Sequence, residues 1–433
     1  MKQVLVLGAG LVARPLVDYL MNAGYKVLVA TRTVSKAERI VGEHPNGMTK
    51  QLDIQDHKTL EKLVSGSDLV ISLLPYIHHV TVAKLCLKHQ KHMVTTSYVS
   101  EAMKVLDVEA KQKGVLLLNE IGLDPGIDHM SAMKIIHEVE DNGGEIISFT
   151  SYCGGLPAPE ANTNPWGYKF SWSPRGVVMA AKNDAQFLQD GKVVRRPGTE
   201  LFHTHESINI QGIGDFEGYP NRNSVPYVDI YDINSTKTLL RGTLRNKTWC
   251  EVWTKLGELG ILDDNRKLDL KGKTYLDFLK DLTGGEDLHR YLDVTPDARV
   301  MENLRWLGML EPNPIPLEEG TAMDVFCHKL EEKLTYGPGE RDMIVLKHTF
   351  IAQYPDHKDR ITSTFIDYGI PNGDTAMSRT VAYPAAIGAR MILEGKITER
   401  GVHIPIKPNI YEPVLEELEN MGMEFIEKTE RVE

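Results

Sequence analysis

Cysteine is scarce in this sequence. Four residues in 433, Cys86, Cys153, Cys250 and Cys327, stand far apart and form no C-x-x-C pair. That excludes a disulfide scaffold and a structural zinc ribbon, and it points to a reduced, cytoplasmic protein. Long apolar runs are missing too. None approaches about 18 residues, so nothing in the sequence is expected to span a membrane. The chain opens on an apolar strand instead of a charged leader, and no signal or transit segment is expected there. There is no basic stripe, and the net charge of −11 argues against a nucleic-acid partner. An anionic small substrate is not excluded, because a site's charge is local. Repeats and low-complexity tracts are absent. The close histidines, His78-His79 and His203 with His205, lack a helical ligand spacing with a matching acid, so no metal is expected. They read as loop or core residues.

What is present begins in the first forty residues. Lys2 to Leu7 (KQVLVL) suits one buried strand, and Gly8-Ala9-Gly10 follows at once. Leu11, Val12 and Ala13 complete G-x-G-x-x-A, and Leu16, Val17 and Leu20 then mark one face of a helix. A second strand follows over 26–30. Strand, glycine turn, helix and strand in this order form a dinucleotide-binding fingerprint. Gly8 permits the tight turn, Gly10 lets the backbone approach a pyrophosphate, and Ala13 keeps helix and strand close. The helix N-terminus offers N–H groups and the positive end of its dipole to the phosphates. An NAD site carries an acid at the end of the second strand. Here the residues are Thr31-Arg32-Thr33, with Lys36 nearby. A guanidinium among hydroxyls suits a 2′-phosphate, so NADP(H) is expected over NAD(H).

The alternation continues to residue 119. A helix over 34–42 precedes an edge strand over 49–53, and Asp53 and Ile54 at its end are placed for the adenine or ribose. Strands over 68–74, 92–96 and 115–119 are separated by helices, at about 20–30 residues per βα unit, which is the spacing of a doubly wound sheet. Ligands meet such sheets at the carboxyl ends of the strands. Gly122-Leu123-Asp124-Pro125-Gly126 stops the pattern, with Asp128 as the expected cap of the next helix. The texture then becomes that of a mixed α/β domain. The fold class expected is α/β: a Rossmann domain over 1–124, then a substrate-binding and dimerisation domain over 125–389 with a mixed sheet and a helical insertion over about 250–335. The helix over 377–394 is expected to kink or begin near Pro384. The segment from about 390 to 433, ending in a short strand over 424–427, is expected to pack back on the first domain.

Several blocks carry a resemblance. Gly122 to Met130 (GLDPGIDHM), Ser151 to Glu160 (SYCGGLPAPE), Tyr168 to Pro174 (YKFSWSP), Gly218 to Arg222 (GYPNR) and Leu240 to Arg245 (LRGTLR) are similar to blocks of the saccharopine reductase/dehydrogenase family, in its glutamate-forming, free-standing form. The similarity covers essentially the whole chain. It implies a reversible, NADP-linked interconversion of saccharopine with 2-aminoadipate 6-semialdehyde and glutamate in lysine metabolism, and a homodimer.

It also implies roles for residues. Leu74, Pro75, Thr95, Thr96, Leu123, Asp124, Pro125 and Ser173 would line the cofactor. Ser97 and Tyr98 would lie beside the nicotinamide and touch substrate. Arg222 would clamp a carboxylate, and Thr243, Leu244 and Arg245 would form a second binding stretch. A tricarboxylate substrate needs such guanidinium and hydroxyl donors. Imine formation and hydrolysis need a proton donor and acceptor near the reacting nitrogen, and Tyr98, Asp124 and Cys153 are the candidates. Two other readings are open on the sequence: a related dehydrogenase acting on another amine–carbonyl adduct such as carboxynorspermidine, and a non-catalytic NADPH sensor.

Overall fold

The structure is a computed structural model that describes all 433 residues. The chain divides into two compact units. One comprises Met1–Gly143 and Gly373–Phe425, the other Gly144–Asn372 and Ile426–Glu433.

The first unit opens with β1 (Gln3–Leu7), α1 (Ala13–Asn22), β2 (Lys26–Thr31), α2 (Val34–Val41), β3 (Gly47–Gln51) and α3 (His57–Ser65). It continues with β4 (Leu69–Ser72), α4 (His79–His89), β5 (His92–Val94), the short α5 (Glu101–Lys104) and α6 (Asp107–Gln112), β6 (Leu116–Leu118) and α7 (Ile127–Asp141). The strands read as continuous apolar runs because helices cover both faces of the parallel sheet. Val4 to Leu7 and Leu69 to Ile71 are wholly buried. Helix α1 turns Ala13, Leu16, Val17 and Leu20 inward.

The second unit contains β7 (Glu145–Pro157), α8 (Pro174–Ala180), β8 (Ala185–Gln189), β9 (Lys192–Arg196), β10 (Glu206–Ile210), β11 (Gly214–Pro220), α9 (Tyr227–Ile230) and β12 (Thr238–Arg245). Next come α10 (Trp249–Glu258), β13 (Leu268–Asp269), α11 (Tyr275–Leu282), α12 (Leu288–Tyr291), α13 (Arg299–Leu307), β14 (Glu319–Gly320) and α14 (Ala322–Lys333). These helices close around Trp249, Trp253, Phe278 and Phe326. The long β15 (Asp342–Gln353) and β16 (Lys358–Tyr368) join the unit's main sheet.

The chain returns to the first unit with α15 (Ala376–Glu394), β17 (Gly401–His403) and α16 (Pro408–Asn420), and ends with β18 (Phe425–Val432). The first sheet is seven-stranded, in the order β17-β6-β5-β4-β1-β2-β3. The chain runs outward from β1 through β2 to β3, then restarts on the other side at β4. The switch point therefore lies between β1 and β4, where doubly wound sheets hold their ligands. The second sheet is nine-stranded. Its main path runs β10-β11-β12-β7-β15-β16-β18, and β8 and β9 lie off it. It is mixed: β12 and β7 are parallel, while β11 with β12 and β7 with β15 are antiparallel. No helix is long and apolar enough to cross a membrane.

Five sequence expectations are corrected. The first unit does not end at residue 124, because α7 packs with α16, where His137 Nδ1 lies 2.7 Å from Tyr411 Oη. It resumes at Gly373 and not near 390, because α15 packs with α1 and Arg390 Nε donates to Tyr19 Oη at 2.7 Å. Only part of the tail returns: β17 joins the first sheet beside β6, whereas Ile426–Glu433 belongs to the second unit. Helix α15 starts at Ala376 on a Thr375 cap, with Ser378 N donating to Thr375 Oγ1, and runs on through Pro384. Asp128 is also not a cap. Gly126, at φ +148, occupies that place, because a Cβ there would overlap the backbone of Gly122. Asp128 sits inside the first turn, and its Oδ1 accepts from Gly126 N at 2.6 Å.

Candidate functional site

The glycine turn follows β1 at the switch point. Gly8 has φ +108, and a Cβ there would stand 3.0 Å from the carbonyl oxygen of Leu73, just beyond β4. Both the backbone angle and the space restrict the position to glycine. Nothing lies within 4 Å of a Cβ built on Gly10, so its backbone is open to a ligand. Val12 precedes α1 without a side-chain cap, and the first turn of α1 carries no acid. Its N–H groups are free of competing carboxylates. Ala9 is buried, while Leu11 is 66% exposed beside the turn. These residues fit a pyrophosphate.

At the end of β2, Thr31 is half-buried and Arg32 and Thr33 are exposed. Helix α2 likewise starts without a side-chain cap or an acid in its first turn. The Arg32 carbonyl accepts from Gln51 Nε2 at 3.4 Å, and its guanidinium forms no ion pair. Asp53 follows β3, which pairs with β2 through Thr31 and Gln51. Asp53 Oδ1 accepts from Gln55 N, which turns one carboxylate oxygen toward its own loop. Ile54 packs on the core of the unit. A cation flanked by two hydroxyls is thus displayed where a 2′-phosphate is read.

The carboxyl ends of β4 to β6 hold the remaining candidates of this unit. Leu74 packs against the core and Pro75 is exposed. Thr95 is buried, and Thr96 lies against Gly122, where a Cβ would approach Thr96 Cβ to 3.0 Å. Leu123 and Pro125 are buried, with the Leu123 and Pro125 carbonyls taken by Asp128 N and Gly122 N. Tyr98 Oη donates to Asp124 Oδ1 at 2.9 Å, so two of the three proton-transfer candidates are joined.

Two polar groups around Ser97 to Val99 were not among the site residues expected from the sequence. His79 lies with Nε2 2.8 Å from Ser97 Oγ and Nδ1 2.9 Å from Ser72 Oγ. Burial, with a smaller push from His78, holds its imidazole down at about 4. Glu120, at φ +56, brackets the same segment. Its N donates to the Ser97 carbonyl, its Oε1 accepts from Val99 N at 2.8 Å, and its Oε2 meets buried His129 Nε2 at 2.8 Å. The available signal was the appearance of polar residues at strand ends of an otherwise apolar sheet.

In the second unit the register sorts the remaining candidates. Thr243 pairs with Cys153 across β12 and β7, and Arg241 with Ser151. Residues two apart on a strand share a face. Arg241, Thr243, Arg245, Ser151 and Cys153 therefore occupy one face of the sheet. Leu244 points the other way, into a core with Tyr152, Leu156 and Val345. The strand's period of two therefore leaves only the Leu244 backbone on the side of Thr243 and Arg245. Arg245 is 5% exposed, with its guanidinium 5.1 Å from the rings of both Tyr168 and Trp249. Its Nη1 donates to the Leu244 carbonyl, and its buried Nε has no partner. Arg222 is exposed in a left-handed turn at φ +55, between β11 and α9, and its carbonyl accepts from Gln186 N. Ser173 is exposed and caps α8, accepting from Gly176 N at 3.3 Å. No group of three or more His, Cys, Asp or Glu is arranged to hold a metal.

Comparison with known proteins covers nearly the whole chain. Residues 4–118 match the family model "Saccharopine dehydrogenase NADP binding domain", and residues 122–423 match "Saccharopine dehydrogenase C-terminal domain". The chain is 39% identical to "Saccharopine dehydrogenase [NADP(+), L-glutamate-forming]" of Schizosaccharomyces pombe, with 99% of each chain covered. It is 38% identical to the mitochondrial alpha-aminoadipic semialdehyde synthase of Bos taurus, covering 98% of this chain and 47% of that one. The solved structure of apo saccharopine dehydrogenase (L-Glu forming) from Saccharomyces cerevisiae superposes with a TM-score of 0.90 at 38% identity, over 99% of this chain and all of that one.

Proposed function

The chain belongs to the saccharopine dehydrogenase family, and on that premise we infer that it is an NADP-linked, L-glutamate-forming saccharopine dehydrogenase. The observation that carries the reading is the turn at Gly8 and Gly10 followed by Thr31-Arg32-Thr33. It suits NADP(H) in a chain whose full length aligns with enzymes bearing that name.

The Gly8–Gly10 turn and Thr31-Arg32-Thr33 would hold NADP⁺, which would supply a hydride acceptor for the lysine-side carbon next to the secondary amine of saccharopine. The amine also loses its proton, leaving a C=N bond. Water adds to that carbon, and cleavage of the C–N bond then gives 2-aminoadipate 6-semialdehyde and glutamate. Ser97 and Tyr98 hold the substrate in this reading. The Tyr98–Asp124 hydrogen bond supports a role in proton transfer for that pair, because a phenol bonded to a carboxylate has a ready acceptor for its proton. Thr243 is assigned to the substrate and Cys153, its neighbour in register, to proton transfer, with Arg222 and Arg245 answering the substrate's carboxylates. The second unit supplies these donors.

We extend the reading to a cytoplasmic homodimer joined through the second unit. The four cysteines are buried and joined in no disulfide, which supports the reducing compartment. Sedimentation at micromolar concentration tests the dimer.

The decisive assay follows NADPH oxidation with glutamate and 2-aminoadipate 6-semialdehyde. Turnover with NADPH, and weaker turnover with NADH, is expected. Tight NADPH binding without turnover would reject the enzymatic reading in favour of a sensor. Turnover only with a diamine-derived imine would move the enzyme to another adduct.

A further inference from the structure

His79 has no part in the reading above. It opens α4, and its ring ties together the carboxyl ends of two neighbouring strands. Nδ1 reaches Ser72, the last residue of β4, and Nε2 reaches Ser97, three residues past β5. Thr95 Oγ1 lies 3.3 Å from the same Nε2. Ser72, His79 and Thr95 are buried and Ser97 is half-buried, so the string of hydrogen bonds runs from the interior out to Ser97.

A ring engaged at both nitrogens cannot turn without losing bonds that buried polar groups need. A neutral imidazole has one N–H and one lone pair. It therefore decides whether Ser97 presents its own O–H or a lone pair outward. We propose that His79 is a positioning residue that sets the direction of the Ser97 hydroxyl, and through it one polar contact to the substrate. This rests on the assignment of Ser97 to saccharopine. No bond is made or broken at His79. Its depressed pKa agrees with a ring that stays neutral near pH 7.

The test is a double-mutant cycle in the full-length enzyme, with saccharopine and NADP⁺ as substrates. Ser97→Ala and His79→Leu are each expected to raise the saccharopine KM about tenfold, the effect of one oriented hydrogen bond, while the NADP⁺ KM holds. The double variant is expected to be no worse than Ser97→Ala alone, because His79 acts only through that hydroxyl. Independent, multiplying effects would overturn the proposal while leaving the substrate assignment standing. A neutral Ser97→Ala would overturn both. Should His79→Leu not fold, Ser72→Ala releases the far end of the ring, and the same cycle is run with it against Ser97→Ala.

Discussion

Arg32→Asp is expected to move the enzyme from NADP⁺ toward NAD⁺. Arg32 is exposed and has no ion pair, so its replacement breaks no fold contact and reports on the cofactor alone. Exposure also sets the scale. One charge pair at about 4 Å in water-like surroundings is worth about 1 kcal/mol, and a 2′-phosphate near neutral pH carries almost two charges. Removing the cation therefore costs about 2 kcal/mol, and the new carboxylate adds repulsion that is weakened by its shorter reach. A total of about 3 kcal/mol corresponds to a change of roughly 100-fold or more in the ratio of kcat/KM for NADP⁺ to that for NAD⁺. The two cofactors are compared in steady state at fixed saccharopine. Added salt should shrink the difference, because exposed charges are screened within about 10 Å at 0.1 M. An unchanged cofactor ratio, in a variant with unchanged thermal stability, would refute the phosphate assignment and transfer it to Thr31, Thr33 or Lys36.

Three other outcomes are expected. Arg222→Ala should raise the KM for saccharopine and leave that for NADP⁺ nearly unchanged. Both residues carry a Cβ, so the turn at φ +55 is strained equally in each, and an unaltered saccharopine KM removes Arg222 from the site. Leu244→Ala should lower stability by about 2–5 kcal/mol, because the side chain is fully buried in its core. The saccharopine KM, measured well below the melting midpoint, should not move; a raised KM with no loss of stability would contradict the strand register. His79 titrates at about 4 in the folded state against 6.5 unfolded, so the unfolded chain takes up a proton first as pH falls. The stability that neutral His79 supports is complete above pH 6.5 and is lost toward pH 4, on the order of 3 kcal/mol. Urea midpoints of wild type should fall across that window, and those of His79→Gln should fall less; parallel curves would show that burial does not set this proton.

Some of the site is written in local chemistry. The turn at Gly8 and Gly10, the apolar strand before it and the basic strand end at Arg32 follow from φ angles, helix periodicity and charge. Each of these acts within a few residues, so the dinucleotide half was legible without coordinates. The block resemblance added candidate substrate residues but not their orientation. Thr243, Leu244 and Arg245 are consecutive, yet the period of two sends Leu244 into the core and its two neighbours to the opposite face. Only pairing with Cys153 on a strand some ninety residues earlier shows which face that is.

The sequence by itself determined the alternation of strands and helices, the glycine turn and the preference for a 2′-phosphate, because these depend on neighbours along the chain. The tertiary structure decided that α7 and α15 belong to the first unit, that β17 extends its sheet at one edge while β18 joins the other sheet, and that His79 and Glu120 hold the Ser97 to Val99 segment. Those assignments rest on burial and hydrogen bonds between residues far apart in sequence, such as His137 with Tyr411 and Asn119 with His403. Composition and spacing do not encode which of the many possible distant partners a buried polar group will meet; the tertiary packing selects it.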